Sequence, residues 1–161
     1  MFSNPQFYID AAIYIAVVNL ALVGMGLYNP RLMLQDYPPA IKAVVPPKTQ
    51  EEKRQSTLFA IPFLLIMLFL PFYLVFRLDE STFPGLFAYA FGIVWAFNLW
   101  DLLVLDWLLF CTITPKVFVL PGSEGHPAYK DYAFHFKGFL IGTVFSLAMG
   151  LIVATVIYFI R

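Results

Sequence analysis

Charge is scarce in this 161-residue chain: aspartate, glutamate, lysine and arginine together make up 12% of it. A soluble domain carries about 25% charged residues. The chain therefore lacks the polar surface needed to coat a water-soluble core. Acidic and basic residues balance at 10 each, so no net positive field exists to attract a nucleic acid, and no such partner is expected. Cysteine is nearly absent. The single Cys111 excludes an intramolecular disulfide and any cysteine-based zinc motif, and its apolar surroundings predict an inert buried thiol. A P-loop, an H-E-x-x-H motif and any Ser/His/Asp order pointing to a specific reaction are also missing. The opening stretch MFSNPQFYIDAAIY has no basic region and no small-residue cleavage site after its apolar run. The first apolar segment is thus expected to be a retained span.

What the chain has instead is apolar mass. Hydrophobic residues make up 61% and aromatic residues 19%, with mean hydropathy +0.79. A bilayer span needs about 20 mostly apolar residues, and four segments qualify, at about 11–28, 58–76, 86–112 and 139–160. All have helical length, and none shows the alternation of barrel strands. The expected fold is an all-α integral membrane protein, a four-helix transmembrane bundle forming one domain over 1–161. Arg31, Lys42, Lys48, Lys53 and Arg54 lie in the first loop and Lys116, Lys130 and Lys137 in the third, whereas the second holds only Arg77 beside Asp79 and Glu80. The positive-inside rule then places the first and third loops in the cytoplasm and both termini on the outer side. The expected location is a bacterial-type inner membrane or a plasma membrane, in multi-pass form.

Local signals refine this outline. Thr49 and Glu52 make a T-x-x-E capping box, so the second helix should start near there, well before the bilayer. Pro62 and Pro71 predict kinks within it. Pro127 suits the first turn of a helix that should run through AYKDYAFHFKG into the fourth span. Gly138, Gly142, Ser146, Gly150 and Ala154 recur every four residues, and Ala88, Gly92 and Ala96 form a shorter version in the third span. Such stripes let helix backbones approach closely in lipid. They predict tight packing of the third and fourth helices on each other, on a second copy or on other membrane helices.

The stretch FNLWDLLVLDWLLFC places Asp101 and Asp106 inside an apolar run. At 1.5 Å per residue, 84–115 covers roughly 46 Å against a hydrocarbon core of roughly 30 Å. Asp101 then falls on the order of 10 Å inside the cytoplasmic edge, with Asp106 nearer that edge. A charged aspartate at a span centre costs about 2.5–3.5 kcal/mol, so Asp101 should face the bundle interior. In regular α-helix the two aspartates lie about 140° apart and cannot share a narrow face. Asn98 and Asp101, at i,i+3, can. Asn19, near the middle of the first span, is the expected partner across the bundle. Asn19, Asn98, Asp101 and Asp106 form the candidate intramembrane polar site.

Both histidines lie in GHPAYKDYAFHFKG. His126, Asp131 and His135 form a candidate site at the cytoplasmic rim, and the i,i+4 spacing of Asp131 and His135 lets them face the same way on a continuous helix. The spacing matches no strong metal motif, so no metal and no cofactor is expected. Tyr129, Tyr132 and Phe134 fit an interfacial aromatic belt, and Lys130 and Lys137 fit contact with anionic membrane lipids. His126-Pro127-Ala128-Tyr129, followed by a glycine-rich span, resembles the H-P-x-Y segment of membrane methyltransferases of the isoprenylcysteine and phospholipid type. That resemblance implies S-adenosylmethionine binding nearby. It covers a handful of residues. Gly125 stands where the arginine before that histidine is usual, and no acidic region follows the hairpin before Arg161.

Three functional classes fit these residues. One is a small membrane protein that handles protons, cations or a small solute through the polar site around Asp101. The second is a non-catalytic accessory subunit, docking other membrane helices through Gly138, Gly142, Ser146 and Gly150. The third is a membrane-embedded enzyme acting on a lipid or other apolar substrate at the His126, Asp131 and His135 rim.

Overall fold

Each apolar segment forms one long helix. The computed structural model describes residues 5–161. Residues 1–4, part of the tail expected on the outer side, lie outside the described residues. Helix α1 covers Pro5–Tyr28, short α2 Pro39–Val44, α3 Gln50–Phe76, α4 Phe83–Trp100 and α5 Tyr132–Ile160. The rest of the described secondary structure is also helical, in short 3-10 segments and one extension of α4. Four of these helices, α4 counted with its extension, are long and apolar enough to cross a membrane.

Capping explains where the elements begin. Thr49 Oγ1 accepts the Glu52 N–H at 3.1 Å, and Glu52 Oε2 accepts the Thr49 N–H at 2.8 Å, so α3 starts where the capping box predicts. It then runs through Pro62 and Pro71 without a break. A helical proline leaves the carbonyl four residues earlier without its usual partner. For Pro71 that carbonyl belongs to Met67, and the Tyr14 hydroxyl of α1 donates to it at 3.2 Å. The proline thus creates an acceptor, and a neighbouring helix fills it.

The hairpin before α5 departs from expectation. Pro127–Lys130 forms only a 3-10 turn, capped by His126, whose Nδ1 accepts the Ala128 N–H at 3.1 Å. Asp131 then leaves helical geometry (φ −82°, ψ 74°) and caps a new helix by accepting the Phe134 N–H at 2.9 Å. The expected continuous helix from Pro127 is therefore broken at an aspartate, a residue whose short side chain favours the cap position.

Helices α4 and α5 pack closely where two α5 glycines meet α4. A Cβ on Gly150 would lie 3.1 Å from the Phe91 Cα and backbone nitrogen, and a Cβ on Gly142 would collide with the Asn98 amide. A core of Tyr14, Val18, Leu74, Ile93, Val94 and Val153, with others, fills one half of the bundle. At that end the buried Asp10 accepts hydrogen bonds from Arg77, from the Tyr89 hydroxyl at 2.9 Å and from Gln6 at 2.8 Å. Arg161 donates there to the carbonyls of Phe76 and Glu80. At the opposite end the first and third loops pack together through Leu34, Tyr37, Ile41, Val45, Leu120 and Tyr129. Arg31 ties this cap to α3, donating to Glu52 at 2.5 Å and to the carbonyls of Pro46 and Pro47.

Burial along α3 is uneven. Its buried residues, Pro71, Leu74 and Val75, all lie toward its C-terminal end. The buried residues of the bundle-spanning part of α5 begin at Ser146. The two helices therefore hold together at the Asp10 end and stand apart toward the loop cap.

Candidate functional site

A half-open cavity of about 640 Å³ occupies this gap. Leu22 and Val23 of α1, Phe63 and Met67 of α3, and Phe139 and Ile141 of α5 contribute apolar wall. Its polar groups come from three elements. Asp36 ends the 3-10 turn Pro30–Asp36 of the loop cap, Asn98, Asp101 and Asp106 come from α4 and its extension, and His135 and Lys137 from the start of α5.

The extension of α4 decides which side chains reach the cavity. From Asp101 to Ile113 the chain winds as a π-helix, with hydrogen bonds to the fifth residue back. The segment closes with the Thr114 N–H on the Leu109 carbonyl at 2.9 Å, and Thr114 sits in the left-handed region at φ 49°. A π-helix of this length is rare, and π turns occur often at functional sites. The wider winding brings residues five apart back toward one face. Asp101 and Asp106, which regular α-helix would separate, both line the cavity.

Asp106 Oδ1 lies 2.8 Å from His135 Nδ1. The carboxylate accepts a hydrogen bond from Nδ1–H, and in the neutral ring this tautomer carries its lone pair on Nε2. Nε2 is buried and has no hydrogen-bond partner among the described residues. The ring is 7% exposed and packs against Phe110, with ring centroids 5.2 Å apart. The expected facing of Asp131 and His135 does not occur, because Asp131 serves as a helix cap instead.

Of the other expected site residues, Asn98 shares the cavity wall with Asp101 and Asp106, while Asn19, His126 and Asp131 do not. Asn98 accepts the Asp101 backbone N–H at its carbonyl, but its side chain does not bond the Asp101 carboxyl. Its amide nitrogen donates to the Phe139 carbonyl at 3.0 Å and to Thr143 Oγ1 at 3.3 Å, so the packing of α4 on α5 occupies it. Asn19 is not in the cavity wall, and its buried Oδ1 has no partner among the described residues. The expected Asn19–Asn98–Asp101 cluster is thus not assembled. His126 and Asp131 cap helical turns and also lie outside the cavity wall. Tyr129 is buried in the loop cap, its hydroxyl meeting the Leu120 N–H and Ser123 Oγ, each at 2.8 Å. The His126–Tyr129 segment that resembles the methyltransferase motif therefore builds the loop.

Sequence reasoning overlooked Asp36, which stands in a polar loop and carries no pattern linking it to α4. Gln35 Nε2 donates to Asp36 Oδ2 at 2.8 Å. Loss of water on its protein side raises the Asp36 carboxyl above the usual range, Gln35, Lys48 and Lys42 oppose that rise, and Asp106 adds to it. Lys48 contacts Gln35 Oε1 at 2.5 Å and Ser56 Oγ at 2.8 Å, and its ammonium pKa is lowered by partial burial. Although three carboxylates and an imidazole share the cavity, no three metal-binding groups among the described residues converge closely enough to hold a metal ion. No protein-family model, no curated protein and no solved structure matches the chain.

Proposed function

We propose that this is a multi-pass membrane protein that handles a proton, a cation or a small solute at the cavity around Asp101, with the joined first and third loops in the cytoplasm and both termini outside. The outer surface supports the bilayer setting: Leu20 is 78% exposed, Phe69 62% and Phe159 79%, and such a surface suits acyl chains better than water. The single observation that carries the reading is the shared cavity of Asp36, Asp101, Asp106 and His135. Ionisable groups at membrane depth are costly and mark ion or substrate pathways. Reconstitution in liposomes under a proton or sodium gradient tests it. The parent protein should carry flux above empty liposomes. Asp101→Asn, which keeps shape but cannot titrate, should fold normally and lose roughly tenfold or more of that flux. Parent flux equal to that of empty liposomes for every gradient tried would remove the reading.

A second reading, an enzyme acting on an apolar substrate, draws support from the Asp106–His135 pair. A carboxylate-oriented imidazole with a free Nε2 has the geometry of a general base. Chemical conversion of a membrane-soluble compound by the parent, lost in His135→Gln, would favour it over flux.

A further inference from the structure

We infer that the ligand of this cavity is a free amphipathic primary amine, a protonated ammonium group on an apolar body. The inference rests on the reading that the cavity is the binding site, and it names the class of molecule bound. Four observations converge on that chemistry.

Charge comes first. Asp36, Asp101 and Asp106 line one cavity against a single lining lysine, Lys137, which lies at the exposed rim. A cationic head compensates this excess, and an anionic one is repelled. The second observation is the spread of the acids. They share the cavity without converging as a metal-binding group, whereas a compact divalent cation needs several oxygens at about 2.0–2.6 Å. A primary ammonium, with three N–H donors pointing in different directions, can use acceptors that are spread apart and needs no closed oxygen shell.

His135 supplies the third and most specific observation. Its Nδ1 is committed to Asp106, and its Nε2 is buried without a partner. An unpaired buried acceptor is unfavourable, and a ligand N–H offsets that cost. The head must therefore carry a hydrogen, which a primary ammonium has and a quaternary one lacks. The fourth observation is the wall. Phe63, Met67, Phe139 and Ile141 offer an apolar lining where α3 and α5 stand apart. The volume of about 640 Å³ falls within the range of pockets that enclose small organic ligands, about 300–1,000 Å³. An amine dissolved in the bilayer can enter sideways between these helices, head first toward the aspartates.

The test uses the full chain in nanodiscs, with empty nanodiscs subtracted, and four probes: decylammonium, decyltrimethylammonium, decanol and calcium ion. Decylammonium should bind saturably and raise the thermal midpoint. Decyltrimethylammonium should bind roughly tenfold more weakly, the equivalent of one lost hydrogen bond of about 1.4 kcal/mol. Decanol and calcium should not shift the midpoint. Asp101→Asn should weaken decylammonium binding roughly tenfold or more. His135→Gln should erase the preference for the primary over the quaternary amine. If His135→Gln fails to fold, the comparison of the two amines on the parent protein decides alone. Equal binding of the two amines, binding of decanol as tight as that of decylammonium, a response to calcium alone, or a response only to nanodiscs rich in phosphatidylethanolamine would each overturn the inference. Flux lost in Asp101→Asn without amine binding would leave the handling reading standing and remove this one. Amine binding without flux would do the reverse.

Discussion

Asp36 shows how a single side chain links the loop cap to the cavity. Although the residue is exposed, loss of water on its protein side raises its carboxyl above the usual range, against the pull of Gln35, Lys48 and Lys42. A carboxyl raised in the folded state binds its proton more tightly there than in the unfolded chain. Folding is then favoured most below the unfolded value of about 3.9, and that advantage is lost as pH rises through the folded pKa. Asp36→Asn should therefore raise the thermal midpoint at neutral pH, with the gain vanishing below about pH 4. A gain that grew toward acid pH would show that Asp36 is stabilised as the anion instead. Asp36 gave no signal in the sequence, since an aspartate beside glutamine and tyrosine in a polar loop looks ordinary. Asp101 did give one, because an acid inside an apolar run has a cost that demands an explanation. His135 lies between these cases. It is visible as one of two histidines, but its partner Asp106 is on another element, and the i,i+4 spacing within its own segment points to Asp131 instead.

Among the elements, α5 offers the sharpest contrast within one repeat. Gly138 and Gly150 belong to the same small-residue stripe, and the sequence cannot tell them apart. At Gly150 an added Cβ meets the backbone of Phe91, while at Gly138 nothing lies within 4 Å. Gly150→Leu should lower the thermal midpoint in nanodiscs by several degrees, since backbone cannot move aside as a side chain can. Gly138→Leu should leave the midpoint within a degree or two and still reduce amine binding, because Gly138 lines the cavity. Equal loss of stability in both variants would mean that the whole stripe is packing surface. The capping box at Thr49 was legible because it depends on residues three apart. The π winding after Trp100 was not legible, since a run such as LLVLDWLLF suits α and π geometry alike. Assuming α winding put Asp101 and Asp106 on different faces, and the i→i+5 pattern brought them back to one cavity.

For the molecule as a whole, the loop cap is the feature that orients everything else. The first and third loops pack into one cluster, while Arg161 and the second loop meet at the far end. With the basic residues concentrated in the joined loops, that end should face the cytoplasm. Lys53→Cys and Lys130→Cys should resist a membrane-impermeant thiol reagent in intact cells, and Glu80→Cys should react. Labelling of position 53 or 130 would reverse the orientation and place the cavity at the outer surface.

The sequence by itself determined the class of structure. Scarce charge and four apolar runs of span length leave helices as the way to satisfy every backbone group in lipid, and those runs became the four long helices. It also marked Asp101 as anomalous and the α5 stripe as a place of close approach, which holds at Gly142 and Gly150, because both follow from local composition. Only the tertiary structure decided which polar groups meet. Asn98 and Asp101 share the cavity wall while Asn19 stays outside it, and the Asn98 amide is held by Phe139 and Thr143 across the α4–α5 contact. Asp106 found His135, and Asp36 arrived from a distant loop. Such meetings depend on helix winding, on where α3 parts from α5 and on how two loops fold against each other. These are long-range matters of packing that no local spacing in the chain encodes.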